Sequence, residues 1–108
     1  MTLPQPWSPA QATKLVNELA IRPSFTVCYT QHAKEQMLER DLIVGDVLYV
    51  LRHGFVYEEP EFSTRPGFYK YRIETRTPNS NNRLVRVVAI PDYRGCSIKL
   101  ITVMWVDE

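Results

Sequence analysis

From Phe55 to the C-terminus, apolar residues recur at every second position. A chain patterned this way lies down as a half-buried sheet. The clearest stretch is FYKYRIETR, with Tyr69, Tyr71 and Ile73 on one side and Lys70, Arg72, Glu74 and Arg76 on the other. Turn-rich TPNSNN and DYRG separate it from RLVRVVAIP and CSIKLITVMWV, and FVYEE precedes it. The pattern predicts a meander of about four antiparallel strands. The last is apolar on both sides over Leu100 to Val106, which suits a covered or central strand.

Before Phe55 the period is helical. In SPAQATKLVNELA, Ser8 is a good N-cap, Pro9 suits the first helical position and Gln11 completes a capping box. Ala12, Leu15, Val16 and Leu19 then form one apolar face. Phe25 to Tyr29 reads as a short strand or extended lead-in. A second helix is expected from about Gln31 to Glu39 behind Thr30. A third carries Val44, Val47, Leu48 and Leu51 and is closed by Gly54. Its start is weakly capped, since Ile43-Val44 stands where Ser or Asp would serve better. Helices followed by a meander give an α+β fold, with helices packed on one sheet face.

At 108 residues the chain is expected to form one domain, residues 1–108. No run of 18 apolar residues is present, so no transmembrane helix is expected. MTLPQPWSPAQ lacks the features of a signal peptide, so the expected compartment is the cytoplasm. Cys28 and Cys96 make no disulfide framework, and no metal-binding spacing or cofactor motif occurs, so no metal or cofactor is expected.

The net charge of +1 conceals an asymmetry. Residues 65–99 hold eight Lys or Arg against two Asp or Glu, whereas residues 1–64 hold five against eight. Such a basic segment suits a polyanion or an acidic protein, or is simply the wet face of a sheet.

TQHAKEQMLER sets His32, Gln36 and Arg40 on one helical stripe bordering the buried Ala33 and Met37. A histidine suits proton transfer near neutral pH, although His32 could equally cap the helix or pair with Glu35. Arg40 could clamp a phosphate or pair with Glu39 or Asp46. Arg86 interrupts the apolar run LVRVVAI, and Arg72 sits mid-strand beside Lys70. Each could serve a site or face solvent. Tyr71 could donate a proton, but the alternation turns it toward the core with Tyr69 and Ile73. Thr102 could line a site or serve only as a strand former. His53, before Gly54, reads as a helix C-terminal residue.

TQHAKEQMLERDLIVGDVLYVLRHGFVYEE, followed by YKYR, LVRVVAI and ITVMW, resembles the bacterial family DUF4258 over about residues 26 to 106. Gln36 departs from that pattern, standing where many members carry Arg. The resemblance implies a RelE/barnase-like toxin core over residues 25–108, with residues 1–24 as a helical extension. It implies the toxin half of a toxin–antitoxin pair, acting as a metal-independent mRNA endoribonuclease. The implied partners are RNA and a cognate antitoxin, MqsA-like or helix-turn-helix; whether the ribosome takes part is left open. On this reading His32, Arg86 and Tyr71 are catalytic, and Arg40, Arg72, Thr102 and Lys70 bind substrate. The alternative is a non-catalytic module of the same fold that binds a protein or RNA.

Overall fold

The computed structural model describes residues 4–107. The element order is α1 (Pro9–Ala20), β1 (Thr26–Tyr29), α2 (Gln31–Glu39), α3 (Val44–His53), β2 (Phe55–Val56), β3 (Glu61–Phe62), β4 (Tyr69–Arg76), β5 (Leu84–Asp92) and β6 (Ser97–Trp105). The strands form one mixed sheet in the order β1-β6-β5-β4-β2, with β3 also paired to β4. The antiparallel meander and the one-sided helical cover are as the alternation predicts. The sheet is wider by β1, which pairs in parallel with β6 from Thr26↔Ser97 to Tyr29↔Leu100, and by β3.

Alternation sorts the two faces. Tyr71 and Ile73 of β4, Val85, Val87 and Ala89 of β5, and Ile98, Leu100 and Val103 of β6 are wholly buried beneath the helices. Helix α1 adds Ala12, Leu15, Val16, Leu19 and Ala20 to the same core, and α3 adds Val47, Val50 and Leu51. Burying each Leu or Val here contributes about 1.5–3 kcal/mol relative to exposing it. Residues 1–24 were expected as an extension, yet α1 shares the core. The N-terminal segment is tied in as well: Trp7 is buried, stacks on Tyr71 at 5.5 Å, and donates its backbone N–H to the Tyr71 hydroxyl at 2.9 Å.

Strand β6 departs from strict alternation. Val88 pairs with Thr102 and Ala89 with Leu100, so Ile101 is an extra, unpaired residue. This bulge shifts the phase by one residue. Leu100 and Val103 therefore both face the helices, and Thr102 turns to the open face.

Helix α3 begins without an N-cap side chain, as expected, but its start is held from within. Asp46, in the first turn, accepts the Ile43 backbone N–H at 3.0 Å. The same buried carboxylate accepts the Thr77 hydroxyl at 2.7 Å and the Asn79 amide at 3.3 Å, tying the Thr77–Arg83 turn to α3. At the other end Gly54 is not the left-handed residue a Gly there suggests. Its backbone is extended, and a Cβ would lie 2.4 Å from the Val50 carbonyl and 2.7 Å from Ile73 Cγ2. Close approach of the Val50 carbonyl of α3 and of β4, rather than a positive φ, is what requires glycine.

Asp46→Ala is expected to lower unfolding free energy by about 2–3 kcal/mol, because it strands donors that now reach a charged acceptor. Urea denaturation measures this, and a loss below about 0.5 kcal/mol would show the turn to be held by other contacts.

Candidate functional site

All three helices lie on one side of the sheet, leaving the other side open among the described residues. That open face carries Lys70, Arg72, Glu74, Arg86, Val88, Ile90, Lys99, Thr102 and Met104, as the buried residues alternating with them require. Arg72, Val88 and Thr102 stand in one cross-strand row, and Glu74, Arg86 and Met104 in the next. With strands about 4.8 Å apart, Arg72 and Thr102 are separated by about 10 Å. Four of the seven predicted site residues, Lys70, Arg72, Arg86 and Thr102, thus share one surface.

His32 and Arg40 lie on α2, which runs along the β6 edge of the sheet. Thr30 caps the helix, accepting the Ala33 N–H at 3.1 Å. Its own backbone N–H donates to the Leu100 carbonyl and its hydroxyl to the Ile101 carbonyl. Further along, Gln36 Oε1 accepts the Val103 N–H at 2.9 Å. Past Tyr29, where β1 ends, α2 therefore takes over as the partner of the β6 edge. His32 lies between these two anchors, exposed, alongside Ile101 to Val103. An Arg here would lack the oxygen that Gln36 supplies to Val103. Arg40 stands two turns from His32, about 12 Å along the axis. It pairs with Glu39 at 3.3 Å, one of the partners expected for it; Asp46 is occupied elsewhere. It lines a cleft of about 530 Å³ with Arg83, Asn81 and Trp105.

Tyr71 lies apart from these residues. It is fully buried on the helix side of β4, so it shares no surface with Arg86 or Lys70. Burial raises its phenol from the ordinary value near 10 to about 12, with the Trp7 backbone hydrogen bond opposing in part. The alternation of β4 had placed it in the core, and packing follows the alternation.

The basic segment is also less exposed as charge than its composition suggests. Arg86 pairs with Glu74, its cross-strand neighbour, at 2.7 Å, with both side chains largely covered. Arg72 pairs with Glu58 at 3.2 Å and with Glu61. Both acids come from the acidic flank, on the interrupted edge formed by β2 and β3. Among the described residues, Lys70 and Lys99 have no ion pair on the open face.

The structure also gathers a group that the sequence reading did not single out. Arg83 lies 3.9 Å over the Trp105 ring and pairs with Asp107 at 2.8 Å. The two residues are distant in sequence, and only the β5–β6 pairing joins them.

Tyr71 predicts a pH dependence. Its folded value is raised, so the stability it contributes is fully present below pH 10 and is lost as pH rises from 10 toward 12. Tyr71→Phe is expected to remove part of that alkaline loss. It should cost about 1 kcal/mol or more at neutral pH by orphaning the Trp7 N–H, and leave the activity of the folded protein intact. Thermal unfolding at pH 7 and pH 11 checks the first two expectations. A folded, inactive Tyr71→Phe protein would return the residue to the site.

No curated protein and no solved structure matches this chain. The family model described as a domain of unknown function, DUF4258, matches residues 29–105, which span β1's last residue, α2, α3 and the sheet through Trp105, and the chain belongs to that family.

Proposed function

We propose that this chain is the toxin half of a bacterial toxin–antitoxin pair, of the RelE/MqsR-like group, and acts as a metal-independent mRNA endoribonuclease. The observation that carries the reading is the position of His32. It is an exposed imidazole in the first turn of a helix anchored along the bulged edge of an uncovered sheet face that holds Lys70, Arg72, Arg86 and Thr102. Cleavage without a metal needs a base for the ribose 2′-OH, an acid for the leaving 5′-oxygen and positive charge at the phosphoryl oxygens. His32 is the base. With Tyr71 in the core, the ammonium groups of Lys70 and Lys99 are the proton donors of the open face, and Arg72 and Arg86 supply fixed positive charge. Thr102 offers a hydroxyl in the row shared with Arg72. The partners that follow are RNA and a cognate antitoxin in the cytoplasm.

A second reading is favoured by the ion pairs. Arg72 and Arg86 are each committed to carboxylates, and Tyr71 is buried, which suits a non-catalytic module of the same fold that binds a protein target or RNA.

Induced expression in a bacterial host, wild type beside His32→Gln, separates the two. The nuclease reading predicts growth arrest with new mRNA 5′ ends from wild type, and turnover reduced by roughly 10²–10⁴ in the variant. Equal arrest by both proteins without new ends would replace it with a protein-directed toxin.

A further inference from the structure

The cleft at the far end of α2 is built by three pieces of chain. Its first wall is the helix end. Asp41 adopts φ 54° and the Leu42 N–H returns to the Met37 carbonyl at 2.9 Å, so α2 stops in a left-handed turn. Its second wall is the Thr77–Arg83 turn, where Asn81 and Asn82 are also left-handed, at φ 57° and 60°. Its floor is Trp105. Asp41 and Asn81 line this cleft, and Asn82 lines a smaller adjoining groove of about 370 Å³ on the other side of Arg83. Three of the four non-glycine residues with positive φ among the described residues thus frame one place.

The contents are a cation, a plane and a hydrogen-bonding amide. The Arg83 guanidinium carbon lies 3.9 Å over the Trp105 ring with its side chain 47% exposed, so a cation and an aromatic ring stand together at the cleft. The Asn81 side-chain amide has no partner among the described residues. Arg40 stands on the opposite wall, and Arg76 continues the line of arginines into the adjoining groove. Arg83 and its carboxylate partner Asp107 are both well exposed, at 47% and 66%. Exposed pairs of this kind hold weakly and can be exchanged for phosphate. The covered Arg86–Glu74 pair on the open face lacks that freedom.

We propose that this cleft is a nucleotide subsite for single-stranded RNA, taking one base against the Arg83–Trp105 pair and its phosphate on Arg83. Single-stranded nucleic acid is held by such a combination, with bases laid on aromatic or guanidinium planes and cations tracking the backbone. The volume is in the range of small-ligand sites, roughly 300–1,000 Å³. The proposal rests on the reading of the chain as a protein acting on RNA, and it gives the strand a direction. The His32–Gln36–Arg40 stripe leads from the imidazole to the cleft over about 12 Å, the length of three to four stacked nucleotides at about 3.4 Å each. The cleft would therefore hold a nucleotide roughly three to four positions from the one that is cut.

The test is binding of a fluorescent 2′-O-methyl hexaribonucleotide, which has no 2′-OH to lose, measured by polarisation across a salt series. Two variants are compared with wild type after matching their thermal unfolding. Arg83→Gln removes charge from an exposed position, and Asn81→Asp adds a negative charge where Asp tolerates the left-handed backbone. Each is expected to weaken binding about tenfold, and Arg83→Gln to flatten the slope of log K against log salt by about 0.7. Wild-type affinity in both cleft variants overturns the subsite, as does capture of a polyglutamate peptide with no binding of the oligonucleotide. Cleavage of an unmodified oligonucleotide is scored separately. Binding that depends on Arg83 without cleavage removes the nuclease reading and leaves the subsite. Cleavage that ignores Arg83 does the reverse.

Discussion

One extra residue in β6 sets the arrangement of everything around it. Ile101 has no partner on β5, so the strand changes phase there. At the same point β1 stops pairing, and Thr30 turns the chain into α2 while bonding the carbonyls on both sides of the change. A continuous β6 would send Thr102 into the core and leave the edge beyond Leu100 without donors or acceptors for its backbone. The bulge instead lets a helix finish the edge, with Gln36 standing in for a strand carbonyl at Val103. The exposed histidine, the hydroxyl of Thr102 and the arginine at the helix end all take their positions from this one irregularity. Bulges recur beside functional sites because they re-aim side chains in this way.

A second constraint acts from the opposite edge. There, β2 and β3 are two-residue strands separated by Tyr57 to Pro60, and both pair with β4. An edge this short and acidic resists pairing with another chain. The break also delivers Glu58 and Glu61 to Arg72, so the acidic flank of the sequence is folded back onto its basic middle. A near-neutral chain with segregated charge has become a sheet on which most arginines already have a partner.

The fold was largely legible because its patterns are strong. Period two from Phe55 and the capped, amphipathic α1 each fix an element and the face it buries. What stayed hidden depended on register. Nothing in CSIKLITVMWV marks Ile101 as the extra residue, since apolar side chains on both sides mask the change of phase. Arg86 looked anomalous only while its neighbour was unknown; the β4–β5 register puts Glu74 opposite, and the anomaly becomes a cross-strand ion pair. Gly54 was correctly seen to close α3, but for a reason that only the approach of the Val50 carbonyl and of β4 reveals. Tyr71 shows the opposite case. Its alternation with Ile73 is plain and places it in the core, where the structure has it.

Legibility of the candidate site follows the same division. His32 and Arg40 were found because helical spacing is local, and the helix keeps them on one stripe. Arg83 and Trp105 were missed because their contact is made by strands whose pairing cannot be read from either residue alone. The difference bears on how a surface of this kind evolves a function. Charges fixed by cross-strand partners are expensive to redirect, since removing one leaves the other covered and unpaired. Charges held by exposed partners at chain ends and turns can be offered to a ligand at little cost. Arg86 belongs to the first kind and Arg83 to the second. Of the two, Arg83 is the one that a ligand can recruit without leaving a covered charge behind.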